Sequence, residues 1–375
     1  MRRLLIRFVI CSCLFLCLSG CWDEQLLKDV ALINAQALDI DTDTGIITTT
    51  VAVVSGTSNE KIPINTTIIS ANGHNTRDSR SELDKKIGSE LFATKNEVTF
   101  FSEDLAKYDI YSVLDTNFRS PLSALTANLA IVEGEAKSIL HVKTENMPLI
   151  SDYLSGILLS GMEEGVIPLV NLQNTLTIVH DDGQDAVIPT LKVLDSKNGA
   201  ELTGVGLFNG LQMTGKLNTD ESILLLLLDG SKKGSHYITR KVNVNSDEKN
   251  LYDDVTVGVK NLERALNITK NQDGQLSVKV DVVLKLNVTE YPHHHLEERK
   301  TIKRLNTELS EQLTNEANQV ITKMQEAQCD YLGIGRKVHA FHDEIWKNNE
   351  WKDVYPSVDF KANVAVEITE YGIVN

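Results

Sequence analysis

From residue 302 to 327 apolar side chains recur at steps of three and four: Ile302, Leu305, Leu309, Leu313, Ala317, Val320, Met324 and Ala327. That period is one apolar face of a long helix, and such a face must be covered by another surface. The cover is written beside it. Two alternating runs, about 255–269 and 275–290, are joined by Asn271-Gln-Asp273-Gly274, an Asp-Gly turn between strands. Pro292 closes the second run, and Glu297 and Glu298 stand where the first turn of the helix is expected. A second helix is expected around 334–347. A final strand over 359–370 puts Phe360, Ala362, Val364, Val366 and Ile368 on one face. For residues 255–375 this predicts a long helix packed on an antiparallel sheet.

The preceding chain is less regular. A hairpin is expected over 28–54, turning at Asp41-Thr-Asp-Thr-Gly45. Residues 55–75, rich in Ser, Thr and Asn with Pro63, read as loop with one short strand near Ile68. A helix over about 76–91 and a strand over 97–101 follow. Ser102 before Glu103 and Asp104 is an N-cap with acidic residues in the first turn, opening a helix with Leu105, Tyr108, Ile110 or Tyr111, and Leu114 inward. Pro121 ends that unit. A strand over about 124–132, a helix from near Ala136 and an amphipathic helix over about 151–162 come next. Ala186-Val-Ile-Pro-Thr-Leu191 reads as an edge strand, because its proline cannot donate to a ladder.

Two short strands, 201–208 and 211–217, turn at Asn209-Gly210. Thr219 or Asp220 caps a helix carrying the apolar run from Ile223 to Leu228, too short to span a bilayer and so read as buried. The charged, Gly/Ser-rich stretch 229–250 reads as loop or boundary. Helices and strands mix without the rhythm of a parallel sheet, so the class is α+β, in three mixed domains over 21–195, 196–254 and 255–375.

The first twenty residues obey different rules. Arg2, Arg3 and Arg7 precede an apolar run from Phe8 to Leu18 and then Ser19-Gly20-Cys21, which is the order of a lipoprotein signal. The run is too short to remain as a spanning helix. The small residues leave the bond before Cys21 open to a peptidase, and the thiol is the group a diacylglycerol can be transferred to. Cys21 is therefore the expected first residue of the mature chain and its lipidation site, anchored by diacylglycerol and N-acyl chains, since one acyl chain alone binds reversibly. An ordinary secretory signal ending near a cysteine is the weaker alternative.

Loss of residues 1–20 takes three arginines and no acidic residue, moving the formal charge from −15 to −18. A chain this acidic is not built to grip nucleic acid through its phosphates, and anionic headgroups repel it. Cys11, Cys13 and Cys17 leave with the signal, and with Cys21 acylated Cys329 has no partner for an intrachain disulfide.

Few residues suggest chemistry. His293-His294-His295 do not converge on one metal from a loop, and no other ligand stands in register. His339 and His342, followed by Asp343 and Glu344, do not form a His-Glu-x-x-His arrangement and read as helix surface or packing. Gly204-Val-Gly206 with Gly210 has the wrong spacing for a phosphate loop and reads as hairpin glycines. No phosphate-loop lysine motif, Gly-x-Ser-x-Gly elbow or Cys/His nucleophile set is present. Asp330-Tyr-Leu-Gly333-Ile-Gly335 reads as a connection between helices, and Trp346 and Trp351 as an interface pair or as packing. An enzyme is not expected, and no cofactor.

Taken in order, Gly20-Cys21-Trp22-Asp23, Leu114-Asp-Thr-Asn-Phe-Arg119, Gly215-Lys-Leu217 with Glu221, and Asp330…Gly333-Ile-Gly335…Trp346…Trp351 resemble the Ger(x)C family, the lipoprotein C subunits of nutrient germinant receptors in spore-forming bacteria. The chain departs from the family pattern where Ser120-Pro121, not an acidic residue, follows Arg119. The resemblance implies a non-enzymatic subunit held through Cys21 on the outer face of the spore inner membrane. It implies two multipass membrane subunits as partners, which recognise small nutrients, and a fold of three α+β domains. Two other classes fit less well: a substrate-binding lipoprotein of an importer, whose two hinged α/β lobes this chain does not repeat, and a lipid-anchored hydrolase, for which the nucleophile is missing.

Overall fold

The computed structural model describes residues 30–55, 65–143, 149–231, 233–242, 253–270, 275–292, 296 and 298–372. The leader 1–20, Cys21, the turn 271–274 and His293, His294 and His295 lie outside the described residues.

β1 (Val30–Ile40) and β2 (Ile47–Ser55) form the expected hairpin. Asp41 makes its turn, its carboxylate accepting from the amides of Asp43 and Thr44 at 3.0 and 3.1 Å, with Gly45 at φ +70°. β3 (Asn65–Gly73) pairs antiparallel with β2. α1 (Thr76–Asp84), capped by Asn75, is shorter than the expected 76–91. Leu91 lies instead in β4 (Glu90–Phe92), which runs parallel to β1, as does β5 (Val98–Ser102).

Ser102 caps α2 (Glu103–Tyr108) by accepting from the Leu105 amide. The single helix expected there breaks at Asp109, whose side chain accepts from the Tyr111 amide and starts α3 (Tyr111–Arg119). Leu105, Ile110 and Leu114 point inward as expected, whereas Tyr108 and Tyr111 are exposed. β6 (Asn128–Val132), α4 (Lys137–Leu140), α5 (Ile150–Glu163), α6 (Leu172–Val179), β7 (Val187–Val193), β8 (Ala200–Asn209) and β9 (Gln212–Asn218) complete the first sheet and its helices.

The strand order is β3-β2-β1-β5-β6-β7-β8-β9, with β4 also beside β1. Its middle, β1-β5-β6-β7, is parallel. Short, irregular connections between these strands hide that from the sequence. β7 is an inner strand, not the edge strand that Pro189 suggested: β6 pairs with it only from Thr190 onward, one residue past the proline. The boundary expected at 195/196 falls between hydrogen-bonded strands, since β8 and β9 extend the first sheet.

α7 (Thr219–Asp229) follows, started by a capping box in which Asn218 and Glu221 each accept from the other's amide. Every residue from Ser222 to Leu228 is buried, so past its first turn this helix has no solvent face. It touches β8 and β9 of the first sheet and β11 and β12 of the second, and one core runs continuously from α5 to the second sheet.

The second sheet is β10 (Tyr237–Lys241), β11 (Asp254–Lys270), β12 (Leu276–Glu290) and β13 (Asp359–Glu370), in that order. β10 forms where only loop was expected. Between β12 and β13 run α8 (Arg299–Glu326), α9 (Ile334–Phe341), α10 (Asp343–Asn348) and α11 (Trp351–Val354). The long helix on a sheet is present, but the sheet is not wholly antiparallel. α8 carries the chain back across the sheet, so β13 returns parallel to β12.

Its apolar stripe is buried from Leu305 to Ala327, with Ile302 partly covered. A second stripe on α8 runs along the free edge of β13. Asn306, Ser310 and Thr314 accept from the amides of Ile368, Val366 and Val364 at 3.0, 2.9 and 2.9 Å. Asn318 accepts from the Ala362 amide and donates to the Ala362 carbonyl at 3.0 and 2.9 Å. Four helical residues rise about 6 Å and two strand residues about 6.6 Å, so the two repeats stay in step over this length. The edge is thereby closed to other strands. Asn318→Ala should cost about 1–3 kcal/mol in urea unfolding by leaving the Ala362 main-chain groups unpaired, while Gln319→Ala, exposed on the same helix, should change stability by less than about 0.5 kcal/mol.

Candidate functional site

The residues that the sequence singled out near the C-terminus converge where α8 ends against the first sheet. The helix stops at Ala327, Gln328 takes φ +52°, and Cys329 and Asp330 turn inward, both buried. Asp330 is the hub. One carboxylate oxygen accepts from the Ile334 amide at 2.9 Å, and the other from the Gly335 amide at 2.7 Å and from the Trp351 indole at 2.9 Å. The start of α9 and the start of α11 are thus tied to one side chain.

The main chain of Asp330 ties the same point to the first sheet. Its amide donates to the Asp185 carboxylate at 2.9 Å, and its carbonyl accepts from the Asp185 amide at 3.1 Å. The second oxygen of Asp185 accepts from the Gly210 amide at 2.8 Å, fixing the β8–β9 hairpin. Around this pair, Arg336 donates to Asp181 at 2.6 Å and Gln184 to the Tyr331 carbonyl at 2.7 Å. The Tyr355 hydroxyl donates to the Cys329 carbonyl at 3.1 Å.

Two glycines allow this approach. The Arg336 amide donates to the Gly183 carbonyl at 3.0 Å. A Cβ on Gly335 would sit 2.5 Å from the Trp351 indole nitrogen and 2.9 Å from the Gly183 Cα. A Cβ on Gly183 would sit 2.5 Å from the Arg336 nitrogen. Around Gly183 the contacts are all main chain, and around Gly335 they are the Trp351 ring, held by its bond to Asp330, and the Gly183 main chain.

Burial raises the Asp330 carboxyl to about 7, against the pull of the Gly335 and Ile334 amides and the Trp351 indole, which favour the charged form. Burial also raises Asp185, opposed by its two amide donors. The Cys329 thiol is pushed well up by burial and by the neighbouring Asp185 charge, which makes it inert as a nucleophile. The aromatic side chains continue outward as a row: Trp351 lies 5.8 Å from Tyr355 and 6.3 Å from Trp346, and Trp346 stacks on His339 at 4.7 Å. A cleft of about 530 Å³ opens beside them, between the 179–186 and Gly210 turns of the first sheet and the 346–352 segment of the second.

The other sequence candidates have structural duties. In the Leu114–Arg119 stretch, Arg119 pairs with Asp115 on the same helix at 2.9 Å, so its acidic partner precedes it. Lys216 bridges to Glu103 at 2.8 Å, and Glu221 caps α7 while pairing with Lys323 of α8 at 2.6 Å. Gly204, at φ +139°, lies so close to the Leu217 carbonyl that only glycine fits there. His339 stacks on Trp346 and His342 precedes α10, and no group of three or more candidate metal ligands converges among the described residues. Asp185 and Asp181 were not singled out from the sequence, because isolated aspartates in a turn carry no pattern. The arrangement holds two sheets together through buried polar groups and offers an aromatic-lined cleft at their seam.

Asp330→Asn should cost about 1–3 kcal/mol at pH 5, because an amide cannot accept from all three donors. The folded carboxyl titrates near 7 and the unfolded one near 4, so the folded state holds the extra proton between these values. Wild-type stability from this group is therefore full below about pH 4 and is lost as the pH rises through about 7. Urea unfolding from pH 5 to 8 should show the gap to Asp330→Asn shrinking by up to about 1.4 kcal/mol per pH unit, and a constant gap would refute the assignment. Gly335→Ala should lower stability by about 1–3 kcal/mol by displacing the Trp351 ring and the Gly183 main chain, seen as loss of the native Trp351 fluorescence environment at lower urea.

Comparison with known proteins places nearly all of the described chain. Residues 23–193 match the family described as "Spore germination protein N-terminal domain", and residues 203–372 match "Spore germination B3/ GerAC like, C-terminal". Among curated proteins, spore germination protein GerQC of Bacillus cereus is 24% identical over 98% of this chain and 99% of its own length. Spore germination protein KC of Bacillus subtilis (strain 168) is 22% identical over 94% of this chain and 92% of its own. The crystal structure of the GerBC protein aligns with a TM-score of 0.58 and 18% identity, over 92% of this chain and 99% of that one, which shows a shared fold.

Proposed function

Because the chain belongs to the GerAC-like family of spore germination proteins, we propose that it is the lipid-anchored, non-catalytic subunit of a nutrient germinant receptor. The observation that carries this is the coverage: the two family matches account for nearly all of the chain after Trp22, in the order that a single C subunit requires. Cys21 is the acylated residue, two positions ahead of the first matched residue, and it holds the protein on the outer face of the spore inner membrane. The subunit acts beside two multipass membrane proteins, and germination follows when small nutrients are recognised by that assembly. The inert buried thiol of Cys329 and the structural employment of Asp330 and Asp185 support a role in binding and relay in place of catalysis. Among the described residues no helix is long and apolar enough to cross a membrane.

Two measurements test this. Solubilising spore membranes in mild detergent and capturing the protein by a C-terminal tag should bring down two multipass proteins; recovery of a permease with an ATPase would overturn the receptor role in favour of an importer. Cys21→Ala should leave the fold intact but move the protein out of the membrane fraction, and its persistence there after carbonate washing would refute the anchor.

A further inference from the structure

The first six residues of α8 read Arg299-Lys-Thr-Ile-Lys303-Arg304. Arg299, Lys300, Lys303 and Arg304 are all exposed, and at helical angles they fall within one arc on the side opposite Leu305 and Leu309. This is an unusual place for cations in a chain of formal charge −15. The start of a helix is its positive end, where acidic residues stabilise, yet the first turn of α8 contains none. Arg299 with Lys303, and Lys300 with Arg304, are also like charges at four-residue spacing, which repel. Helix stability therefore does not explain the cluster.

Ion pairing does not explain Arg299, Lys300 and Lys303 either. Elsewhere the surface cations commonly sit on carboxylates, as in Lys107–Glu103, Arg240–Glu316, Lys323–Glu221 and Lys347–Asp343. Among the described residues no such pair holds Arg299, Lys300 or Lys303. Arg304 reaches the Tyr291 hydroxyl at 3.3 Å, placing a half-buried aromatic ring at the rim of the cluster. A shallow groove of about 390 Å³ runs between Lys300, Lys303, Arg304 and Thr307, and Glu308 and Glu311 close it one turn further on. Arg299, Lys300 and Lys303, which no ion pair among the described residues holds, beside an amphipathic tyrosine match an anionic lipid surface.

We propose that Arg299, Lys300 and Lys303, with the Arg304–Tyr291 pair at their rim, form a docking face for anionic phospholipid, which sets how the protein stands on the membrane. The proposal rests on the anchored reading above. From Cys21 to the start of β1 at Val30 the chain can extend only about 30 Å, so the folded part stays near the bilayer and its surface charge decides which side faces down. The overall negative charge turns the rest of the surface away from anionic headgroups, and the cluster is turned toward them. At roughly 1 kcal/mol for each cation near such a surface, converted to a ratio, the three together favour this orientation by roughly a hundredfold.

The test replaces the acyl anchor, so that a failure of lipidation cannot be mistaken for a failure of the docking face. Every described element lies within residues 30–372, so a chain starting at Trp22 carries the complete core. This chain, with an N-terminal hexahistidine, is held on vesicles by a nickel-chelating lipid. A donor dye is attached at Thr307→Cys, where Cys329, fully buried, does not compete for the label. Energy transfer to acceptor lipids should be roughly twofold higher on phosphatidylcholine vesicles containing phosphatidylglycerol than on phosphatidylcholine alone, and the difference should vanish at high salt.

The triple variant Arg299→Glu, Lys300→Glu, Lys303→Glu spares the Arg304–Tyr291 bond and should lose the difference. Its thermal midpoint should stay level or rise, because acidic residues suit the start of a helix. Lys300→Gln with Lys303→Gln, a milder change, should give an intermediate transfer. Equal transfer on the two kinds of vesicle, as an acidic protein partner for this face would give, overturns the proposal. So does a folded triple variant that still responds to phosphatidylglycerol.

Discussion

Four polar side chains, one per turn of α8, hold that helix along the edge of β13, and most of what else the chain does depends on the helix being there. The ladder from Asn306 to Asn318 sets its height against the strand to within one residue, because a shift would unpair several main-chain groups at once. With α8 fixed, its apolar face closes the second sheet, Lys323 meets Glu221, and the Thr214 hydroxyl reaches the Ala327 carbonyl at 2.6 Å. The helix therefore ends where its last turn can deliver Cys329 and Asp330 to the first sheet.

Two kinds of interaction then join the sheets. α7 supplies area: a helix apolar on all sides has no stable position except between two surfaces, and β8, β9, β11, β12 and α8 provide them. Asp330 and Asp185 supply direction. Their hydrogen bonds, reciprocal through the main chain, allow one relative placement of α9, α11 and the β8–β9 hairpin. Burying a carboxyl without a cation is costly, and the raised titration of Asp330 is the visible sign of that cost. Area alone would hold the sheets together without specifying how.

Strong periodicity made the C-terminal part legible: the stripe of α8, the alternation of β11, β12 and β13, and the Asn209-Gly210 turn all stand where local pattern put them. The lone proline of β7 misled, because an inner strand tolerates proline just before its second ladder begins. β10 is only five residues long and sits within a polar stretch, so it carries no pattern of its own. The seam was half visible. Asp330, Gly333, Gly335, Trp346 and Trp351 were picked out together, but Asp185, Asp181 and Gly183 come from a turn far away in sequence, and nothing local marks residues whose value lies in what they meet. The polar ladder is different: Asn306, Ser310, Thr314 and Asn318 recur at a helical step, and a search for polar stripes as well as apolar ones would have found it.

At Gly183 and Gly335 the two parts of the chain meet backbone to backbone. Side chains absorb small displacements by changing rotamer; peptide planes do not. The contact thus behaves as a fulcrum rather than a cushion. A push delivered to the hairpin or to the turn before β7 is passed on to α9 and the aromatic row as rotation of a stiff lever, with little lost on the way.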